Sequence, residues 1–396
     1  MKKTLLATTA ALLATGAMAD VNIGNPMGIT GPIPDLVAPM AAAVDLAAKN
    51  INDQGGMFAD GQALNVVRAD SACDPAAAID AVTKLINVNG VTAIVGPVCS
   101  GPAIAQAESV SIPAGVLTIS VSASSPALTM MEDGTDLVFR TTASDAYQGV
   151  ALAELAMANG ISDIAVSYAN DDYNAAISEV FVQAYEGMGG TITANEAHEP
   201  NKASYRSEVA TLGNTSENLA LFSYYGSGGI TLMRNALETS AFTNFIGADG
   251  MLSDELIEQI GAENLSNATF TTAASDSSTP PYAAWKAIAD EAGVPASDPF
   301  VPNSYDAMFM MALAIEAAGS DSREGLSEHL RAISSAPGEL IYPGQWAEAK
   351  AILAAGGDIN YEGGAGNQDF DENGDVAGNF SKSVIVNGAW AAELIQ

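Results

Sequence analysis

The sequence predicts an α/β protein of two doubly wound lobes joined by a three-crossing hinge. Two observations carry that prediction. Short β runs alternate with amphipathic helical stretches, and the alternation restarts after residue 141. Such alternation gives parallel sheets with helices on both faces, and two series give two sheets. The length of 396 residues, 48% of them apolar, is enough for two packed cores and excludes global disorder.

The elements follow in order. Val21 to Asn25 and Leu64 to Ala69 are short runs bounded by polar residues, and read as strands. Between them Val37 to Asn52 repeats apolar residues at helical spacing. Pro75 to Val88 is a helix that opens with proline in its first turn. Thr92 to Gly96, Gly115 to Ser120 and Leu137 to Thr141 are strands, with a helix over Pro102 to Val110. The second series gives helices at Ala146 to Asn159, Asn174 to Met188, Ser204 to Leu212 and Ile230 to Thr239. Its strands are Asp163 to Tyr168, Thr191 to Asn195, Ala220 to Tyr225 and Phe245 to Ala248. Past residue 280 the chain turns helical, at 282–292, 305–318, 323–333 and 346–355. Phe370 to Trp390 reads as a β-hairpin around Asn373-Gly374. Ser275 to Pro281, Gly363 to Asn367 and the stretch near Thr141 are rich in Ser, Thr, Gly or Pro and read as crossings. The expected division is 20–140 plus 273–366 for one lobe, and 141–272 plus 367–396 for the other.

Residues 1–19 stand apart. Lys2 and Lys3, a mildly apolar stretch from Leu5 to Thr15, and Ala17-Met18-Ala19 make a secretory signal peptide. The mature chain then begins at Asp20, which offers no lipid-attachment cysteine. No later run approaches the roughly 18 apolar residues of a membrane span, so no membrane insertion is expected. Against 14 Lys+Arg stand 47 Asp+Glu, a net charge of −33. That balance repels phosphate backbones and anionic lipid, and excludes nucleic acid and membrane surfaces as partners. In an exported chain the two cysteines, Cys73 and Cys99, read as one disulfide. Closing a loop of about 27 residues stabilises by roughly 3 kcal/mol.

Signatures of chemistry are missing. There is no Gly-rich nucleotide loop, no nucleophile elbow at Ser100 or Ser227, and no H-E-x-x-H. His198 and His329 stand at no ligand spacing to each other or to the cysteines, so neither a metal nor a cofactor is expected. Asp369 to Asp375 begins like a calcium loop, but its twelfth position is Phe380 where a bidentate Glu is needed. An acidic hairpin turn is the better reading.

What remains is polar residues at the carboxyl ends of strands, where open α/β sheets bind ligands. Ser100, Ser122, Ser124 and Ser125 follow strands of the first series; Tyr225 and Asp249 end strands of the second. Each has an ordinary role open to it as well: a cap, a turn or strand packing. Together they set hydroxyls on one lobe against a carboxylate and a phenol on the other.

At this point the chain resembles the branched-chain amino-acid-binding proteins of ABC transporters, the type I periplasmic binding proteins. The resemblance lies in Asp70-Ser71-Ala72-Cys73-Asp74-Pro75, in Val95-Gly96-Pro97-Val98-Cys99-Ser100, and in ISVSASSPALT from Ile119 to Thr129. Phe139-Arg140-Thr141-Thr142, Asp145, Gln148-Gly149 and Phe245 to Gly250 continue it in order. It implies a site. Ser100 would bind the ligand α-carboxylate; the Ser122 carbonyl and Asp249 would take the ammonium, helped by Tyr225, and Ser124 would keep the hydroxyl of a residue that is usually Thr in the family. Tyr173 would cover the ligand and Phe300 touch its side chain. Leu36 stands where the family often has an aromatic residue, which leaves the side-chain preference open. The resemblance also implies a periplasmic monomer, without catalytic residues, that presents its amino acid to the membrane permease of an ABC transporter. The rivals are an exported ligand sensor of the same fold and a secreted hydrolase.

Overall fold

The computed structural model describes residues 20–131 and 136–395. The expected signal peptide at 1–19 lies outside the described residues.

The first series forms one parallel sheet. Its strands are β1 (Val21–Met27), β2 (Leu64–Asp70), β3 (Ala93–Val95), β4 (Thr118–Ser120) and β5 (Val138–Arg140), in the order β2-β1-β3-β4-β5. The second series gives β6 (Asp163–Ala169), β7 (Thr191–His198), β8 (Asn218–Phe222), β9 (Asn244–Ala248) and β10 (Ala268–Ala274), also parallel. A small sheet follows from β11 (Glu339–Ile341), β12 (Ile359–Gly363) and β13 (Gly366–Asn367). Last come β14 (Asn379–Val386) and β15 (Ala389–Leu394), which complete the second sheet as β15-β14-β10-β9-β8-β6-β7. The result is the two-lobe α/β architecture that the alternation predicts.

The chain's caps explain why helices start where they do. Asp74 accepts the Ala77 N–H at 2.8 Å and precedes Pro75, so helix 75–87 begins there. Ser125, Ser144 and Asp171 cap the helices at 126–129, 145–158 and 172–187 in the same way. Each of these caps lies in the loop just past a strand's carboxyl end, the edge on which a ligand would sit. Helix 301–318 is buried from Val301 through Ile315 and packs on helix 34–53; it is buried all round, and its polar residues Asn303, Ser304 and Asp306 are hydrogen-bonded inside.

Several elements differ from the sequence reading. The terminal hairpin turns at Asn387-Gly388, not at Asn373-Gly374. Both central residues there have positive φ, 52° and 86°, as a two-residue hairpin turn requires. Asn373-Gly374 instead closes a surface turn, in which Asp371 accepts the N–H groups of Asn373 and Asp375 at 2.8 and 3.0 Å. The Asp375 carboxylate in that turn is engaged by Arg140, at 2.7 Å from both Nε and Nη2. β8 stops at Phe222, three residues before its expected end. β10 runs through the expected boundary at 272/273, because it pairs with β9 and β14.

The crossings are held by buried polar groups. Asn303 Nδ2 donates to the Thr141 carbonyl, and Thr141 Oγ1 donates to the Asn303 carbonyl at 3.0 Å. Asp306 accepts from the Tyr361 hydroxyl at 2.7 Å and from the N–H groups of Gly364 and Ala365 at 3.0 and 2.8 Å. Burial still pushes its carboxyl up to about 6. Cys73 and Cys99 form the disulfide, with Cα atoms 5.5 Å apart. Among the described residues no helix is long and apolar enough to cross a membrane.

Candidate ligand-binding site

The carboxyl ends of the two sheets face one another across a cavity of about 310 Å³, part of it open to solvent. Seven residues singled out in the sequence line it: Leu36, Ser100, Ser122, Ser124, Tyr173, Asp249 and Phe300. Local structure positions each. Ser100 opens the short helix 100–106, and its Oγ accepts the Ser125 N–H at 3.2 Å. The N-cap is Cys99, so Ser100 does not cap its own helix. Ser122 Oγ donates to the Val98 carbonyl at 2.9 Å, which leaves its backbone as the part open to a ligand. Ser124 Oγ donates to Asp145 Oδ2 at 3.0 Å, and its carbonyl accepts the Asp145 N–H at 2.8 Å.

The eighth, Tyr225, points elsewhere. Its hydroxyl accepts the Asp35 N–H at 3.1 Å, and Tyr224 lines the cavity in its place. The cause is the early end of β8: the chain leaves the strand after Phe222, and a short 3₁₀ turn at 225–227 exchanges the directions of the two tyrosines. Tyr224 stacks on Tyr173, with ring centroids 5.4 Å apart. No sequence signal separates the two tyrosines once the end of the strand is misjudged.

The electrostatics are one-sided. Asp249 is buried, accepts the Tyr173 hydroxyl, and is pushed up to about 6 by that burial. Asp145, wholly buried, is pushed well above the usual carboxylate range by burial and then by the charge of Asp249, against the pull of Ser124 and Arg140. Among the described residues Asp145 Oδ1 has no hydrogen-bond partner. Among the described residues no Lys or Arg lines the cavity. A buried carboxylate at Asp249, with hydroxyls around it and Asp145 behind Ser124, makes a place where a cation is stabilised. Asp145 entered the sequence reading only within a matched block, because a buried aspartate behind a serine has no periodic signature.

His198 is buried between Ser167 Oγ at 2.9 Å and Ser223 Oγ at 3.4 Å, and burial pushes it down to about 4. None of these three residues lines the cavity. Among the described residues no group of three or more His, Cys, Asp or Glu is arranged to hold a metal ion.

The sequence pattern of a periplasmic binding protein family matches residues 20–353. The chain belongs to that family. Among its relatives is a Leu/Ile/Val-binding protein of Rhizobium johnstonii, 28% identical over 86% of this chain and 92% of that protein. Another is the substrate-binding protein of a chemotactic signal transduction system in Halobacterium salinarum, 25% identical over 88% of this chain and 83% of the relative. In fold, the chain is similar to a branched-chain amino acid transporter substrate-binding protein of Streptococcus pneumoniae, solved with isoleucine. The TM-score is 0.76 at 23% identity, covering 95% of this chain and 99% of that one. Proteins of the periplasmic binding family are solute-binding proteins, which agrees with a cavity that offers binding groups from two lobes.

Proposed function

We propose that this chain binds a small amino acid of the branched-chain or aliphatic type and delivers it to the membrane permease of an ABC transporter. The observation that carries the reading is the buried carboxylate of Asp249, which lines the cavity beside Ser100, Ser122 and Ser124 with no lysine or arginine among the described lining residues. A zwitterion's ammonium supplies the missing charge. In this reading Ser100 binds the α-carboxylate. The Ser122 carbonyl, Ser124 Oγ and Asp249 hold the ammonium, Tyr173 and Tyr224 cover it, and Leu36 and Phe300 meet the side chain. Neutral donors suit the carboxylate, since no fixed cation has to be desolvated. The lobes divide as 20–140 plus 275–366, and 141–274 plus 367–396. Residues 1–19 direct export to the periplasm, where the mature chain acts as a monomer without catalysis. The names of the Rhizobium and Streptococcus relatives support the ligand class. The Halobacterium relative favours a second reading, presentation of the ligand to a chemotactic receptor.

A thermal-shift series on the mature protein tests the ligand. An aliphatic amino acid at 100 times its Kd stabilises by about 2.7 kcal/mol, a rise of several degrees. Its decarboxylated and deaminated analogues leave the melting temperature unchanged. A shift with another class of solute and none with any amino acid would discard the reading.

A further inference from the structure

Behind the cavity wall, Asp145 opens helix 145–158 and is wholly buried. Two bonds tie it to Ser124, which does line the cavity. The Asp145 N–H donates to the Ser124 carbonyl at 2.8 Å, and Ser124 Oγ donates to Oδ2 at 3.0 Å. Its other oxygen, Oδ1, has no donor among the described residues. The titratable groups that face it come from four other elements: Arg140 from β5, Tyr173 from helix 172–187, Tyr224 from the turn past β8 and Asp249 from the end of β9. β10 brings neutral groups to the same helix, the carbonyl and hydroxyl of Thr271 at Gln148. The one cation of this set, Arg140, is engaged by Asp375, Thr129 and the Ser125 carbonyl. Asp249 is better supplied with donors, from Tyr173 and Gln148. Two carboxylates in one dry neighbourhood, with the nearest cation held elsewhere, do not both ionise readily. The member with fewer donors keeps the proton. The proton decides what Ser124 shows a ligand. With Asp145 ionised, Ser124 Oγ gives its hydrogen to Oδ2 and turns its lone pairs to the cavity, as an ammonium needs. With a proton on Oδ2 that bond reverses, and the hydroxyl can point its hydrogen into the cavity.

We propose that Asp145 is a positioning residue that holds a proton in the ligand-free protein and gives it up to water when an ammonium enters the cavity, so that ligand capture and proton release are one event. The inference rests on the amino-acid reading of the cavity. The charge balances: the ligand brings one positive charge in, the O–H bond of the Asp145 carboxyl breaks, and one proton leaves. Rising pH therefore favours binding. A ligand that displaces one proton binds about tenfold tighter per pH unit, as long as Asp145 starts protonated and the ligand keeps its ammonium. Asp249, pushed up to about 6, adds its own loss of binding only at lower pH.

Calorimetry on the mature wild-type protein at pH 7 counts the protons directly, in two buffers of low and high ionisation enthalpy. The probe is leucine, or whichever aliphatic amino acid raises the melting temperature most. The expected result is release of about half a proton or more per ligand bound, and a Kd that tightens about tenfold between pH 7 and pH 8.5. Asp145→Asn keeps the shape of the side chain and cannot titrate. It is expected to release at most about a tenth of a proton at pH 7, the share still carried by Asp249, and to show a Kd that changes less than about twofold over the same range. Binding by the wild-type protein without proton release overturns the proposal and leaves the amino-acid reading standing. A variant that releases as many protons as wild type also overturns it. The wild-type count decides the matter even if Asp145→Asn does not fold. If the wild-type protein binds no amino acid, the functional reading has failed instead, and that is seen before any variant is made.

Discussion

At the scale of single residues, the same burial gives Asp249 and Ser124 different weights. A ligand ammonium beside Asp249 would be a charge taken out of water and paired with a charge. Removing the carboxylate leaves it buried and unpaired, so Asp249→Ala is expected to cost about 2–5 kcal/mol in binding. Ser124→Ala removes one hydrogen bond to a charged group and is expected to cost less, about 1–2 kcal/mol. Both are read as calorimetric Kd values at pH 8, above the value of about 6 to which burial raises Asp249, so that the carboxylate is ionised at the outset. Equal losses would mean that the ammonium is held mainly by hydroxyls, and an unaltered Asp249→Ala would remove Asp249 from the site. How much was legible differs by residue. That Ser100, Ser122, Ser124 and Asp249 lie at or just beyond the carboxyl ends of strands was legible, because the ends of buried strands are marked by composition. The cavity is lined by Tyr224 and not by the expected Tyr225, because that marking is good only to a few residues, and in this turn one residue reverses the direction of the side chain.

At the scale of elements, Tyr225 has a different part to play. Helix 34–53 has Ile33 at its N-cap, which offers no side-chain acceptor. The Asp35 N–H in its first turn is one of the donors a helix leaves unpaired, and the Tyr225 hydroxyl, from the other lobe, accepts it. The neighbouring Gly226 N–H donates to the Pro32 carbonyl at 3.1 Å. These bonds would break if the lobes parted, so they would favour the form in which the lobes are together. Tyr225→Phe is expected to weaken ligand binding by about 0.5–1.5 kcal/mol, several-fold in Kd, without touching the ligand. An affinity equal to wild type would show that closure does not depend on this cap. Caps written into the sequence, such as Asp74 before Pro75 and Ser125 before Pro126, were legible; a cap borrowed from 190 residues away was not. The hairpin shows the same limit. Asn373-Gly374 and Asn387-Gly388 are equal as dipeptides, and the flanks decide between them. Residues 379–386 carry the partly buried, β-branched run that pairs with β10, whereas 369–375 carry acids that bind backbone N–H groups and Arg140.

At the scale of the whole molecule, the sheets were legible from two series of alternation, but the charge was legible only as a sum. A net charge of −33 means that most carboxylates have no cation to pair with. The buried pair of Arg140 and Asp375 joins the end of β5 to the segment before β14, and Arg331 holds Asp136 and the carbonyl of Asp371 nearby. Exposed pairs such as Lys49–Asp53 and Lys286–Asp290 contribute little. Self-repulsion of the surface therefore outweighs the attraction of its ion pairs, and it opposes the compact state. Salt shortens the Debye length from about 30 Å at 0.01 M to about 3 Å at 1 M, which removes long-range repulsion first and spares the partly buried pair. The ligand-free melting temperature is accordingly expected to rise by several degrees as sodium chloride increases over that range. A melting temperature that falls with salt would mean that the ion pairs carry more stability than the repulsion removes, and the ion pairs of Arg140 and Arg331 would be the first place to find it.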